Sequence, residues 1–146
     1  MKSTIREFQK VILKELNDYP DGNLSVAEEL KDIPFQIKRV YYIYDFFNEI
    51  AKRGKHAHKN LEQVLFCISG SFKLMLDDGK IKMNIEMDAP NEGIYIGKYI
   101  WHTMCEFSKD CIILVFASDY FKESDYIRDY DEFISITRNI LDDKTE

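Results

Sequence analysis

The sequence predicts an all-β domain, a sandwich or barrel of short antiparallel strands finished by one C-terminal helix. Three observations support that class. Ile81-Lys82-Met83-Asn84-Ile85-Glu86-Met87 alternates apolar and polar residues throughout, as a strand does when one face meets the core and the other meets water. Asp77-Asp78-Gly79-Lys80 stands just before it, and Asp-Gly is a strong hairpin signal because both residues tolerate the positive φ of tight turns. Short apolar segments, each bounded by turn residues, then recur along most of the chain, which is the rhythm of a sandwich or barrel.

With 146 residues, 45% of them hydrophobic and 14% aromatic, the chain is long enough for one domain, 1–146, with its own core. A formal net charge of -6 argues against a nucleic-acid surface, since a phosphate backbone selects for gathered positive charge. Local Lys and Arg can still surround a small anionic ligand. No apolar run approaches the ~20 residues a membrane helix needs, and Met1 to Arg6 lead into no signal-peptide hydrophobic region. A cytoplasmic protein with no membrane partner is expected. Cys67, Cys105 and Cys111 form an odd set in or beside apolar strands, which suits reduced core thiols better than a disulfide framework.

Taken in order, Ser3 to Leu16 place Ile5, Phe8, Val11, Ile12 and Leu13 at spacings open to an amphipathic helix or an irregular first strand. The turn cluster Asn17 to Asn23 ends that segment, and Leu24 to Glu28 read as a short strand. Pro34 breaks the chain at Ile33-Pro34-Phe35, since it lacks a donor N–H and biases Ile33 to extended geometry. Arg39 to Tyr44 are a strand by β-branched and aromatic content, with Val40, Tyr42 and Tyr44 on one face and Arg39, Tyr41 and Ile43 on the other. Ser71 to Leu76, Ile94 to Ile96, Ile100 to Met104 and Cys111 to Ala117 supply further strands. Tyr130, Phe133, Ile134, Thr137 and Leu141 suit one face of a helix over 130–142.

The stretch from Arg53 to Glu62 holds two of the three histidines and runs straight into Val64-Leu65-Phe66-Cys67-Ile68, closed by Gly70. Side chains alternate along a strand, so His56 and His58 share a face. This His-x-His-x3-Glu spacing resembles the first motif of the cupin superfamily, jelly-roll β-barrels, and His102 stands where a later cupin histidine points inward. Most cupins hold a transition metal with such a set, which His56, His58, Glu62 and His102 match on paper. This chain departs from the pattern in its glycine, displaced to Gly54, and in Gly97-Lys98-Tyr99-Ile100-Trp101-His102 replacing Pro-x-Gly-x-x-His. A barrel strand can also turn only one of Glu62 and Gln63 inward. A structural reading has the histidines bonding to core tyrosines and carboxylates.

Acid–base chemistry without a metal is the other active reading, because an imidazole of unperturbed pKa ~6.5 takes and returns a proton near neutrality. A ketose isomerisation needs that ability. The hydrogen on the carbon beside the ketone is acidic; its removal gives an enediolate, and reprotonation at the old carbonyl carbon moves the ketone. Tyr41 or a second histidine would stabilise the oxyanion.

From about Gly22 to Phe133 the chain resembles the dTDP-4-keto-6-deoxyglucose 3,4-ketoisomerases, small metal-free cupins. The runs that carry it are Ile33 to Tyr42, Arg53 to Lys59, Leu61 to Leu65, Leu76 to Gly79 and Asp125 to Asp131. The resemblance implies that His56 moves a proton between C3 and C4 of the hexose with support from His58 and Tyr41, without metal or other cofactor. It implies that Arg53 meets the pyrophosphate, where a guanidinium fork suits phosphate oxygens, and that Arg39, Glu28 and Arg128 also bind substrate. Relatives that form galacto products carry histidine after the motif tryptophan, so His102 points to galacto; Asp21, at a second discriminating position, matches neither type. The family supplies 3-amino-3,6-dideoxy sugars to bacterial surface glycans such as lipopolysaccharide O-antigen, and is typically a homodimer that exchanges N-terminal strands, here within 1–22. A metal-dependent cupin isomerase or dioxygenase, and a non-catalytic sugar-nucleotide-binding domain, are the competing readings.

Overall fold

The computed structural model describes residues 5–144, so the start of the first predicted segment, Ser3 and Thr4, lies outside the described residues. In chain order the strands are β1 (Gln9–Ile12), β2 (Glu15–Asn17), β3 (Asn23–Ser25), β4 (Arg39–Ile43), β5 (Arg53–His58) and β6 (Gln63–Ser69). They continue as β7 (Phe72–Asp77), β8 (Lys82–Met87), β9 (Glu92–Ile96), β10 (Trp101–Cys105), β11 (Ile112–Ala117) and β12 (Tyr126–Ile127), followed by helix α1 (Tyr130–Asp143). Two five-stranded sheets result, ordered β1-β9-β6-β11-β4 and β12-β5-β10-β7-β8, while β2 and β3 form a separate hairpin. Pairing within each is antiparallel. This is the expected all-β, cupin-type jelly roll with a C-terminal helix.

The core lies where the sheets face each other. Leu65, Ile94, Ile113 and Val115 of the first sheet meet Phe72, Leu74, Leu76 and Met104 of the second, all buried. A second layer forms outside the first sheet, where Ile33 and Phe35 pack with Val11, Leu13, Val64 and Phe66. Outside the second sheet α1 seats Phe133 against Ala57 and Ile127. Asp129 caps the helix by accepting the Glu132 N–H at 2.9 Å, which satisfies one orphan donor of the first turn.

The open question at the N-terminus resolves as strand. Val11 and Leu13 are buried whereas Ile12 between them is 57% exposed, so burial there follows a period of two. The strand expected over Leu24 to Glu28 stops at Ser25, because the chain then folds into a turn in which the Glu28 carbonyl accepts the N–H groups of Lys31, Asp32 and Ile33 and Leu30 takes φ 61. The cysteines are free and buried, as expected.

Candidate active site

Adjacent strands of the second sheet bring the histidines together, His56 and His58 from β5 and His102 from β10, with His102 directly opposite His56. Their ring centroids lie 4.9 Å apart for His56 and His58, 4.6 Å for His56 and His102, and 5.8 Å for His58 and His102. Backbone geometry explains the aim of this strand. Between His102 and Thr103 the ladder slips, pairing Thr103 with Gly54 and Met104 with Arg53, so Lys55 is the extra residue of a β-bulge. Lys55 takes φ 57 and Gly54 φ 80, and a Cβ on Gly54 would stand 2.7 Å from the His102 carbonyl oxygen. Only glycine fits there.

The bulge also changes what shares the site. His102 and Met104 occupy one face of β10, and directly paired residues point the same way, so Arg53 lies on the face of His56 and His58. Simple alternation along β5 would have put it on the opposite face.

Each histidine is oriented through Nδ1. That atom lies 3.0 Å from the Gly54 carbonyl oxygen in His56, 3.2 Å from the Ile100 carbonyl oxygen in His102 and 3.2 Å from Asp125 Oδ2 in His58. Carbonyl oxygens and an ionised carboxylate only accept, so Nδ1 carries the hydrogen and Nε2 keeps a free lone pair. Burial pushes the His56 pKa down to about 4, helped by the neighbouring His58. Burial likewise lowers His58 to about 4, with His102 adding to the fall and Asp125 opposing it, and lowers His102 to about 3. All three are neutral bases at pH 7.

Tyr41 is raised to about 12 by burial and donates its hydroxyl hydrogen to Gln63 Oε1 at 2.5 Å. Arg39 lies over the Tyr41 ring at 5.4 Å and over Phe121 at 5.9 Å, and its buried Nε has no hydrogen-bond partner among the described residues. Arg39 and Arg53 both act electrostatically on the Tyr41 phenol. Arg128 covers Tyr126 at 4.2 Å and forks onto the Glu123 carboxylate at 2.8 and 3.1 Å. Glu28 stands apart: its carboxylate pairs with Lys31 at 2.7 Å, and none of its contacts is with the histidines.

Pattern reading missed two residues that complete this site. Tyr126 packs edge-on against His56 at 4.8 Å and His58 at 4.4 Å, and Asp125 holds His58. Both lie in the run that carried the family resemblance, but no spacing rule links position 125 to position 58.

The donor set is incomplete for a cupin metal site. The three histidines offer nitrogen atoms within 4.8 Å of one another. The carboxylate that would complete the set is elsewhere: Glu62 accepts the Tyr95 hydroxyl at 2.5 Å and lines a groove of about 610 Å³ with Glu7, Phe8 and Lys98. Buried Gln63 faces Tyr41 instead. The four-ligand His, His, Glu, His arrangement therefore does not fit.

A jelly roll with neutral imidazoles gathered between its sheets defines a cupin-like protein built for proton transfer on a small molecule. The chain belongs to the FdtA family, described as WxcM-like, C-terminal, whose model matches residues 1–138. It is 50% identical over 133 residues, 91% of each chain, to the TDP-4-oxo-6-deoxy-α-D-glucose-3,4-oxoisomerase of Aneurinibacillus thermoaerophilus. It is also similar to the crystal structure of a 3,4-ketoisomerase from Helicobacter canadensis, at 45% identity and TM-score 0.86, covering 90% of this chain and 98% of that one. A histidine-to-asparagine mutant of the 3,4-ketoisomerase QdtA from Thermoanaerobacterium thermosaccharolyticum, in complex with TDP-4-keto-6-deoxyglucose, matches at 39% identity and TM-score 0.89, covering 93% and 97%.

Proposed function

We propose that this chain is a TDP-sugar 3,4-ketoisomerase that converts dTDP-4-keto-6-deoxy-D-glucose into a dTDP-3-keto-6-deoxyhexose. The observation that carries this reading is the cluster of three neutral imidazoles whose Nδ1 contacts leave the Nε2 lone pair unprotonated, in a chain half identical to a curated 3,4-oxoisomerase. His56 takes the hydrogen from C3 as a proton and returns it at C4. His58 and Tyr41 support the oxygen side of the enediol, where a preorganised donor stabilises developing charge. Arg53, set by the bulge on the strand face of the histidines and exposed there, meets the pyrophosphate, and Arg39, Arg128 and His102 complete the substrate contacts. Glu28, paired with Lys31 away from the histidines, has the least support among these assignments.

His102 beside His56 supports a product of galacto configuration. The product then feeds 3-amino-3,6-dideoxy sugar synthesis in the cytoplasm. In this reading the enzyme is a single-domain homodimer: Val40 and Tyr42 on the edge strand β4, and Tyr44 just past its end, are 53%, 63% and 55% exposed, an apolar face that a second copy would cover. Exchange of the N-terminal strands would replace the β1–β9 pairing within the chain by the same pairing across the dimer.

The test is an NMR spectrum of the product formed from the 4-keto nucleotide sugar in heavy water, with wild type and His56→Asn compared. Wild type should yield the 3-keto sugar with ring deuterium, and His56→Asn should lose about 10²–10⁴-fold in kcat. Full turnover in that variant removes His56 from its role, and a protein that binds the nucleotide without converting it is a binding domain. Turnover that disappears with a strong chelator and returns with a stoichiometric metal supports a metal-dependent isomerase instead.

A further inference from the structure

We propose that Asp125 is a positioning residue of the reaction, fixing the proton of His58 on Nδ1 so that Nε2 faces the sugar as an acceptor; this rests on the ketoisomerase reading. Among the three histidines only His58 has a carboxylate partner, since His56 and His102 bond to carbonyl oxygens. The pair is buried, with side chains 3% and 13% exposed. The carboxylate is itself held: Asp125 Oδ1 accepts the Asn60 N–H at 2.8 Å and Oδ2 accepts the Leu61 N–H at 3.2 Å. Two backbone donors thus lock the acceptor that locks the ring. An imidazolium formed at His58 would meet a carboxylate bonded directly to its ring, whereas Glu123 acts on His56 only through space.

That difference divides the labour. His56 Nε2 takes the C3 hydrogen as a proton; the C–H electron pair becomes the C3=C4 bond and the carbonyl pair moves onto O4. His58 Nε2 takes the proton of the C3 hydroxyl, becoming an imidazolium against Asp125, and delivers it to O4. The O3 pair then forms the new carbonyl while the C3=C4 pair takes the proton from His56 at C4. Two protons move within the sugar, both rings end neutral, and no co-reactant is consumed.

The experiment joins steady-state kinetics to the ¹⁵N spectrum of histidine-labelled enzyme. In wild type His58 should show its proton on Nδ1. Asp125→Asn can present its amide N–H₂ to Nδ1 and force the proton onto Nε2, so kcat should fall about 10²–10⁴-fold with KM little changed, and Asp125→Glu should recover part of the loss. A wild-type His58 protonated on Nε2 overturns the proposal. So does an Asp125→Asn enzyme that melts lower but keeps its kcat and its tautomer, because Asp125 then serves only the 60–61 turn. If Asp125→Asn does not fold, the wild-type tautomer, read without substrate, still decides. Failure of wild type to convert the 4-keto sugar overturns the ketoisomerase reading itself, whatever the tautomer.

Discussion

Two strand pairs of the same sheet behave differently. β7 and β8 pair without a slip from Phe72 opposite Met87 to Asp77 opposite Lys82, and their inward and outward positions alternate throughout, with Met75 the one apolar residue on the outer face of β7. β5 and β10 pair with a slip at Lys55, next to His56. The first pair is built only for packing, so each residue's face follows from its position in the count. In the second a bulge gives up regularity to bring Arg53, itself exposed, onto the strand face of His56 and His58, which a period-two strand with this spacing would not do.

The most damaging way to break this contrast is to remove the bulge. Deleting Lys55 leaves a regular ladder in which Arg53 keeps its face, but it removes the Gly54 carbonyl from its place under His56 Nδ1 and so frees the ring to turn. We expect kcat/KM to fall roughly 10²-fold or more, the scale of a displaced catalytic group, with circular dichroism unchanged. Wild-type kinetics in the deletion would mean that the bulge does not orient His56 for the reaction.

A smaller effect is expected in the regular hairpin. Gly79 sits at φ 93, and a Cβ there would stand too close to Thr137 of the helix, 2.3 Å from its Oγ1. Gly79→Ala should cost about 1–3 kcal/mol of stability, seen as a lower melting temperature, while kcat per folded molecule stays at the wild-type level. A variant of equal stability but reduced kcat would show that the turn communicates with the site after all.

The same contrast explains what could be read from the sequence. The all-β class, the 77–80 turn, the helix face at Phe133 and Thr137 and the shared face of His56 and His58 were legible, because each follows from a local period or from a turn residue with one use; His102 joined them only through the cupin resemblance. The strand face of Arg53 was not, since the bulge shows only in the pairing with β10. Asp125 and Tyr126 were hidden as contacts because they reach His58 and His56 from the far end of the chain. The choice between Glu62 and Gln63 depended on Tyr95 and Tyr41 as alternative partners, which are distant in sequence. The N-terminal segment was ambiguous because Val11, Ile12 and Leu13 are all apolar, and only burial shows which of them face inward.

The subtlest expected difference between the two strand pairs is in their response to acid. His56 and His58 fall to about 4 and His102 to about 3 in the folded protein, chiefly through burial, against ~6.5 in the unfolded chain. Between these values the unfolded state binds more protons, so stability rises with pH; the histidine contribution is complete above about pH 6.5 and is lost as pH falls toward 4. Melting temperature should therefore drop between pH 7 and pH 5, a window above most carboxylate titration, and His102→Gln should flatten that drop. Because all three rings sit on β5 and β10, amide exchange should loosen there before it loosens along β7 and β8. An unchanged slope in His102→Gln would show that the acid sensitivity arises elsewhere, and uniform loosening would show that the sheet opens as one unit despite the bulge.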